Sequence, residues 1–254
     1  MKNITLIPLK TPIIQEGDFA GDILYKTLRK NDISIDEGDV IVIAETPVAV
    51  AEGQILKLED ISPSERAKEL AAKYQMDPRI VEIVIQEADE ILGGVKGVLL
   101  TCKSDTLIAN AGVDVSNAPL GYVTRFPRNP KKSIQLIKEF LEEKFHKKIA
   151  VILGDSRVQP LRRGTIGVAI AVAGMEPIED CRGMKDLYGR ELQITFRALA
   201  DDLVSAAQLL LGESDEQTPA VLIKGAPIQL IEPPTLKMGI SKIECLFMNS
   251  FSKD

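Results

Sequence analysis

Apolar positions along the chain fall into a few unbroken runs and several periodic ones. The runs at 40–44 and 150–153 are rich in Val and Ile and have no polar face, which predicts buried strands, and a second, longer apolar run at 166–174 must be buried as well. Residues 3–9 and 219–224 read as further strands, and 22–30 as a short amphipathic helix followed by a turn at 36–39. Ser62, Pro63, Ser64 and Glu65 combine a capping box with proline at the first helical position, which predicts a helix to about Tyr74. Asp77 and Pro78 start another through Glu90, and Asn129 and Pro130 a third to Phe145. Strands at 95–101 and 107–111, parted by Lys103, Ser104 and Asp105, predict a hairpin. A strand at 192–197 and a helix at 200–211 stopped by Gly212 complete the pattern. Residues 226–254 are poorly patterned.

Neither a regular strand and helix alternation nor a repeat appears, so the expected fold class is α+β, with mixed or antiparallel sheets and flanking helices. No low-complexity linker divides the chain, and 1–254 is expected to form a single domain of two intimate lobes.

Polar groups interrupt this pattern in informative places. The run at 150–153 stops at Gly154, Asp155 and Ser156, which puts an acid and a hydroxyl at an expected strand tip. Arg162, Arg163 and Gly164 follow, then the second apolar run, then a stretch with Asp180, Arg182, Asp186, Tyr188 and Arg190. The run at 40–44 likewise ends in Glu45 and Thr46, and the hairpin arm runs into Asn110, Asp114, Ser116 and Asn117.

Composition narrows the chemistry. With 31 basic against 37 acidic residues, net charge −6, no Trp and 4% aromatics, no nucleic-acid partner is expected. The longest apolar run falls well short of the roughly 18 residues of a membrane span, and Pro8 and Lys10 interrupt any signal-like stretch, so no membrane partner and a cytoplasmic location are expected. Cys102, Cys181 and Cys245 lack CxxC spacing and read as reduced thiols. His146 is the single histidine, and it lies among Lys144, Lys147 and Lys148 at a helix end, which reads as surface. Imidazole-based triads and metal sites are thereby removed, leaving carboxylates, hydroxyls, Arg, Lys and a hard metal.

Asp114 and Asp155 each follow an apolar strand. If the two strand ends converge, carboxylates about 4 Å apart repel by roughly 4 kcal/mol at an effective dielectric of 20, and a divalent cation offsets that. Oxygen ligation suits magnesium or manganese. Equally, each acid can simply cap its turn. No Walker A or GxGxxG sequence is present. Residues 211–215 either present backbone amides and an acid or form a helix stop with a solvated loop.

The order of motifs resembles the coenzyme F420:L-glutamate ligase family over about residues 3–225. The matching residues are Pro63, Ser64, Glu65, Arg66 and Ala67; Asn110, Ala111, Gly112, Val113, Asp114, Val115, Ser116 and Asn117; Asp155 and Ser156; Arg163 and Gly164; Ala169 and Ile170; and Asp186, Leu187, Tyr188, Gly189 and Arg190. Ala200, Asp201, Asp202 and then Leu211, Gly212, Glu213 continue it. The resemblance implies a mixed α+β homodimer that uses GTP to add L-glutamate to the lactyl phosphate end of a deazaflavin, first as an amide and then as γ-linked units. It also implies magnesium or manganese, with potassium as an accompanying ion. Carried over by position, Asp114 and Asp155 are metal ligands, and Ser156 and Glu213 complete a second metal position. Thr11, Pro12, Ile13, Ile14, Glu45, Thr46 and Asn117 contact the nucleotide, as does the loop of Gly212, Glu213 and Ser214. Arg163 and Arg190 are candidates for anionic substrate groups, or else structural partners of Asp180 or Asp186.

This chain departs from the family pattern at four places. Ala49, Val50, Ala51, Glu52 and Gly53 stand where the family usually reads Ser-Lys-Ala-Glu-Gly, so the expected Lys is Val50. Ser156 replaces a usual Thr, and Val158, Gln159, Pro160, Leu161 and Arg162 replace Gly-Arg-Pro-Trp-Arg. Near the start, Thr11, Pro12, Ile13 and Ile14 replace Leu-Pro-Leu-Ile. Two readings follow: an amide ligase for this or another acid acceptor, or a paralogue that binds nucleotide, metal or deazaflavin without ligation.

Overall fold

The computed structural model describes residues 3–251. From the start, β1 (Thr5–Leu9), α1 (Ala20–Lys30), β2 (Val40–Ala44) and α2 (Glu45–Ala51) lead to β3 (Ile55–Lys57), α3 (Glu65–Tyr74) and α4 (Pro78–Glu87). Next come β4 (Glu90–Val95), β5 (Val98–Lys103), β6 (Thr106–Ala109), β7 (Tyr122–Thr124) and α5 (Pro130–Phe145). The strands β8 (Ala150–Val158), β9 (Thr165–Ala173), β10 (Glu179–Asp180) and β11 (Phe196–Arg197) precede α6 (Leu199–Leu211), β12 (Ala220–Lys224) and α7 (Leu246–Phe251). The fold is α+β, as the sequence implies. Its described residues form two compact units, 3–55 with 126–236 and 56–125 with 237–251.

The first unit is built on a five-stranded sheet in the order β1-β12-β2-β8-β9. The unbroken apolar runs lie at its centre, where β2 pairs in parallel with β8 from Val40↔Ala150 to Ala44↔Gly154, and the other pairings are antiparallel. On one face, Ile41, Ile43, Val151 and Leu153 pack with Leu24 and Leu28 of α1 and Ile137 and Leu141 of α5. The other face takes α6. A Cβ on Gly154 would fall 2.6 Å from the Val204 side chain, and one on Gly167 as close to the Val204 backbone, so the helix seats directly on the strands.

The second unit places α3 and α4 against the antiparallel sheet β4-β5-β6, with β3 and β7 as a separate ribbon. Ala67, Leu70, Val81, Ile83, Val84 and Leu99 form its core with Val113 and Val123. The cap of α3 is Ser64, whose hydroxyl accepts from the Ala67 amide at 3.2 Å, so Pro63 precedes the cap and the expected box at Ser62 does not form. Ser64 also donates its own amide and hydroxyl to Glu82 on α4, at 2.8 and 2.6 Å, a tertiary partner that decides which serine caps.

Other boundaries shift for similar reasons. The helix expected to reach Glu90 stops at Glu87, because β4 pairs with β5 from Glu90↔Cys102 onward. Glu45 and Thr46, expected at a bare strand tip, open α2. The strand expected over 192–197 shrinks to Phe196 and Arg197, which pair with Glu179 and Asp180. Most important, β8 does not stop at Gly154. It continues through Val158 because β9 supplies partners down to Val158↔Thr165, so Asp155 and Ser156 lie within the strand. His146 ends α5 exposed, the three cysteines are free thiols, and among the described residues no helix is long and apolar enough to cross a membrane.

Candidate active-site edge

Strand direction determines where the sequence-predicted residues gather. β12 runs antiparallel to both β1 and β2, and β2 runs parallel to β8, so β1, β2 and β8 all end on one edge of the first unit's sheet. In open sheets, ligands bind outside such carboxyl ends, where the loops converge. Here the loop after β1 brings Thr11 to Ile14, the start of α2 brings Glu45 and Thr46, and the loop before β12 brings Gly212, Glu213 and Ser214. The loops after β1 and before β12 are tied together by the Thr11 amide, which donates to the Gln217 carbonyl at 3.2 Å, while the Thr11 hydroxyl donates within its own loop to the Pro12 carbonyl at 2.7 Å. Thr11, Ile14 and Glu45 are buried, Thr46 is half-buried, and Pro12 and Ile13 are exposed. Val50, at the position of the expected Lys, is half-buried in the last turn of α2.

Asp155 and Ser156 occupy the β8 end of this edge. Alternation along the strand points Ser156 to the face covered by α6 and Asp155 to the opposite one. The Ser156 amide donates to Asp155 Oδ1 at 2.7 Å, and its hydroxyl lies 3.5 Å from Glu213 Oε2, just past the end of α6. Glu213 is fixed by two more donors, the Thr165 hydroxyl and the Gln208 amide, each 2.7 Å from Oε1. The sequence reading missed Thr165 and Gln208; their signal is position, one opening β9 and the other a turn before Glu213.

A bulge sets this geometry. Leu153 pairs with Ala171 but Gly154 with Ala169, leaving Ile170 extra, immediately before Asp155. The Ala169 amide donates instead to Asp201 Oδ1 at 2.9 Å, in the first turn of α6. The helix is thus pinned to the bulge at one end and delivers Glu213 to the β8–β9 end at the other.

Gly212 has φ +76, and a Cβ there would meet the Glu216 carboxyl group at 2.1 Å. Backbone amides, its own first and then that of Ser214 at 2.8 Å, hold the Glu216 carboxyl below the usual carboxylate range. The loop therefore does present amides to an anion, and in this structure that anion is its own carboxylate.

Asp114 and Asn117 belong to the second unit, Asp155 to the first. Asp114 bridges to Thr124 through two backbone bonds of 3.1 and 2.8 Å, and its Oδ1 accepts the Ser116 amide at 3.0 Å, so it does cap its turn. Asn110, Ala111 and Gly112 before it all have positive φ. Asn110 Oδ1 accepts from the Leu99 amide at 2.9 Å and the Ala111 amide donates to the buried Thr101 hydroxyl at 2.8 Å, holding that strained turn. Both Asp114 and Asn117 are exposed.

Arg163 and Arg190 are exposed in turns, and among the described residues neither guanidinium forms an ion pair. The acids named as their alternatives are otherwise engaged: Asp180 pairs with Arg182 at 2.7 Å, and Asp186 accepts the amides of Tyr188 and Arg190 at 2.8 and 2.9 Å. Among the described residues no three His, Cys, Asp or Glu side chains cluster tightly enough to cage a metal. The donors at this edge, carboxylates and a hydroxyl, are all oxygen, the ligand chemistry of magnesium or manganese, which bind through one or two carboxylates together with water and substrate phosphates.

A hydroxyl, acids and loop amides at one sheet edge are groups that joining an acid to an amine can use, and comparison with known proteins makes the class plain: the protein is a ligase. Residues 8–225 match the model of the F420-0:Gamma-glutamyl ligase family, and the chain belongs to it. It is 41% identical over 217 residues to the coenzyme F420:L-glutamate ligase of Methanothermobacter thermautotrophicus, covering 85% of this chain and 86% of that one. The enzymes of the same name from Methanopyrus kandleri and Methanocaldococcus jannaschii are 40% identical over 225 residues and 38% over 228. Those alignments cover 88% and 89% of this chain, and 87% and 90% of the relatives.

Proposed function

We propose that this protein adds L-glutamate to the deazaflavin precursor F420-0, in a reaction driven by GTP and dependent on magnesium or manganese. Family membership supports the acceptor and the amino acid. The observation that carries the site is the meeting of Ser156 and Glu213 beside Asp155, on the edge where the loops after β1 and before β12 join.

In this reading, Asp114 and Asp155 are the metal ligands, Ser156 and Glu213 complete a second metal position, and potassium is an accompanying ion. The ion supplies neutralisation of phosphate charge. Thr11, Pro12, Ile13, Ile14, Glu45, Thr46, Asn117 and the loop of Gly212, Glu213 and Ser214 bind the nucleotide. Amides now turned to Glu216 are suited to phosphate oxygens. The γ-phosphate passes to a substrate carboxylate, GDP leaves, and the amino group of L-glutamate displaces phosphate from the acyl phosphate. The chain's task is to position these groups and exclude water, because alignment supplies most of such a rate. Arg163 and Arg190 are candidates for anionic substrate groups, and the active form is a homodimer.

Incubation with F420-0, GTP, L-glutamate and manganese should give GDP and a product heavier by one or more glutamyl units. Asp155→Asn and Asp114→Asn should each weaken manganese binding in a titration without substrate, with little change in the metal-free thermal midpoint. GDP without a heavier product would redirect the search to another acid acceptor. Unchanged manganese affinity in either variant would remove that acid from the ligand set.

A further inference from the structure

The sequence offers Arg163 and Arg190 as candidates for anion binding, and both are exposed in turns. The structure singles out another arginine. Arg157 lies on β8, paired with Ile166, and alternation places its side chain on the same face as Asp155, with Cα atoms roughly 7 Å apart. Its Nε is buried without a hydrogen-bond partner, and among the described residues the guanidinium forms no ion pair or hydrogen bond. A guanidinium carries five donors and no acceptor, and a buried donor left unsatisfied is costly enough that such atoms are rare.

Other parts of the chain show what an arginine at this spacing ordinarily does. In Asp77-Pro78-Arg79, Nε and Nη2 close on the aspartate at 3.0 and 2.6 Å. In Asp180-Cys181-Arg182 the same fork closes at 2.9 and 2.7 Å. Asp155-Ser156-Arg157 has the same spacing, yet Arg157 does not pair with Asp155. The local reason is the continuation of β8: register with β9 down to Val158↔Thr165 keeps the backbone extended. Arg157 is thereby held half-buried, beside the acid and with its fork uncommitted.

We propose that Arg157 is the arginine that takes an oxyanion, a phosphate or carboxylate group of a substrate, beside Asp155. This deepens the ligase reading and rests on it. The fork geometry matches planar carboxylate and tetrahedral phosphate oxygens, and an anion there satisfies the buried Nε as none of the described residues does.

Arg157→Met keeps the stem and removes the fork, and Arg157→Lys keeps a charge without Nε. Calorimetric titration with manganese and GDP reports on a phosphate source, and titration with F420-0 and with L-glutamate on an acceptor or amine-donor source. Arg157→Met should weaken one of these ligands roughly tenfold to a hundredfold, the worth of a charge-assisted bond, with Arg157→Lys in between. Its thermal midpoint should hold or rise, because an unsatisfied buried donor is gone. Affinities of Arg157→Met within twofold of the parent for all three ligands would overturn the proposal. So would a lowered thermal midpoint with unchanged binding, which marks a structural arginine. If Arg157→Met does not fold, Arg157→Lys decides by the same titrations. Asp155→Asn in parallel separates the two readings: if it too leaves every affinity unchanged, the site reading fails, whereas an effect there and none at Arg157 sinks this inference alone.

Discussion

At the scale of single residues, the second unit's least soluble decision is to bury Glu87. Burial pushes its carboxyl upward, but Lys103 at 2.6 Å and then Arg125 at 3.0 Å outweigh this and hold it below the usual range. Lys103 also reaches toward the Ala111 carbonyl at 3.5 Å, at the strained turn that leads to Asp114. Removing the carboxylate takes one partner from each of two mostly buried cations, so Glu87→Gln should cost about 1–3 kcal/mol, between the values for exposed and buried pairs. The pH dependence has a defined sign. A carboxyl depressed in the folded state contributes stability above its unfolded value, near about 4.3, and loses it as pH falls through the lower folded one. Parent and variant should therefore differ most in denaturant midpoint near neutrality and converge in acid. A difference that stays constant from neutrality into acid would show that the ion pair is not its source.

At the scale of elements, α6 does the positioning. Asp201 ties its first turn to the bulge, the Ser205 hydroxyl donates to the Gly167 carbonyl at 2.9 Å, and Glu213 leaves its far end. Gly167→Ala would press a methyl group onto the Val204 backbone at 2.6 Å, an overpacking that costs about 1–3 kcal/mol. Because the displaced helix carries Glu213, manganese affinity should fall as well, whereas Ser64→Ala, which removes the α3 cap and costs about 1 kcal/mol, should leave it unchanged. Equal metal affinity in the two variants would detach α6 from the site. The same elements show what was legible in the sequence. Strands buried on both faces, such as Val40–Ala44, announce themselves because no polar position is tolerated there. The second half of β8 does not, since Gly154, Asp155, Ser156 and Arg157 are held in a strand only by β9. β4 is disguised by Gly93 and Gly94, and α2 by Pro47 near its start. Asp155 and Glu213, the acids proposed for the site, stand out in the sequence by residue type and order. The partners of Glu213, Thr165 and Gln208, do not, because those contacts exist only once the bulge fixes where α6 lies.

At the scale of the whole molecule, one surface is costly for a chain that stays alone. The segment between β10 and β11 is anchored at its base, where Arg197 pairs with Glu179 at 2.5 Å and Arg182 stacks over Phe196 at 4.6 Å. Beyond that base, Leu187, Tyr188 and Ile194 are 99%, 88% and 86% exposed, in a protein with few aromatic residues to spare. Burying large apolar side chains contributes about 1.5–3 kcal/mol each, so three of them left bare on one excursion of the chain suit a contact surface. In the homodimer proposed above, a second copy would bring the same apolar side chains to the contact, as a two-fold axis requires. Sedimentation equilibrium should therefore give twice the chain mass of 27.8 kDa. Leu187→Asp combined with Ile194→Lys should shift it toward the monomer, with the far-ultraviolet spectrum retained, because neither side chain contributes to a core. A dimer unaffected by the double change would place the interface elsewhere, and a parent protein that sediments as a monomer at every concentration would remove the homodimer from the proposed function while leaving the ligase assay to stand on its own.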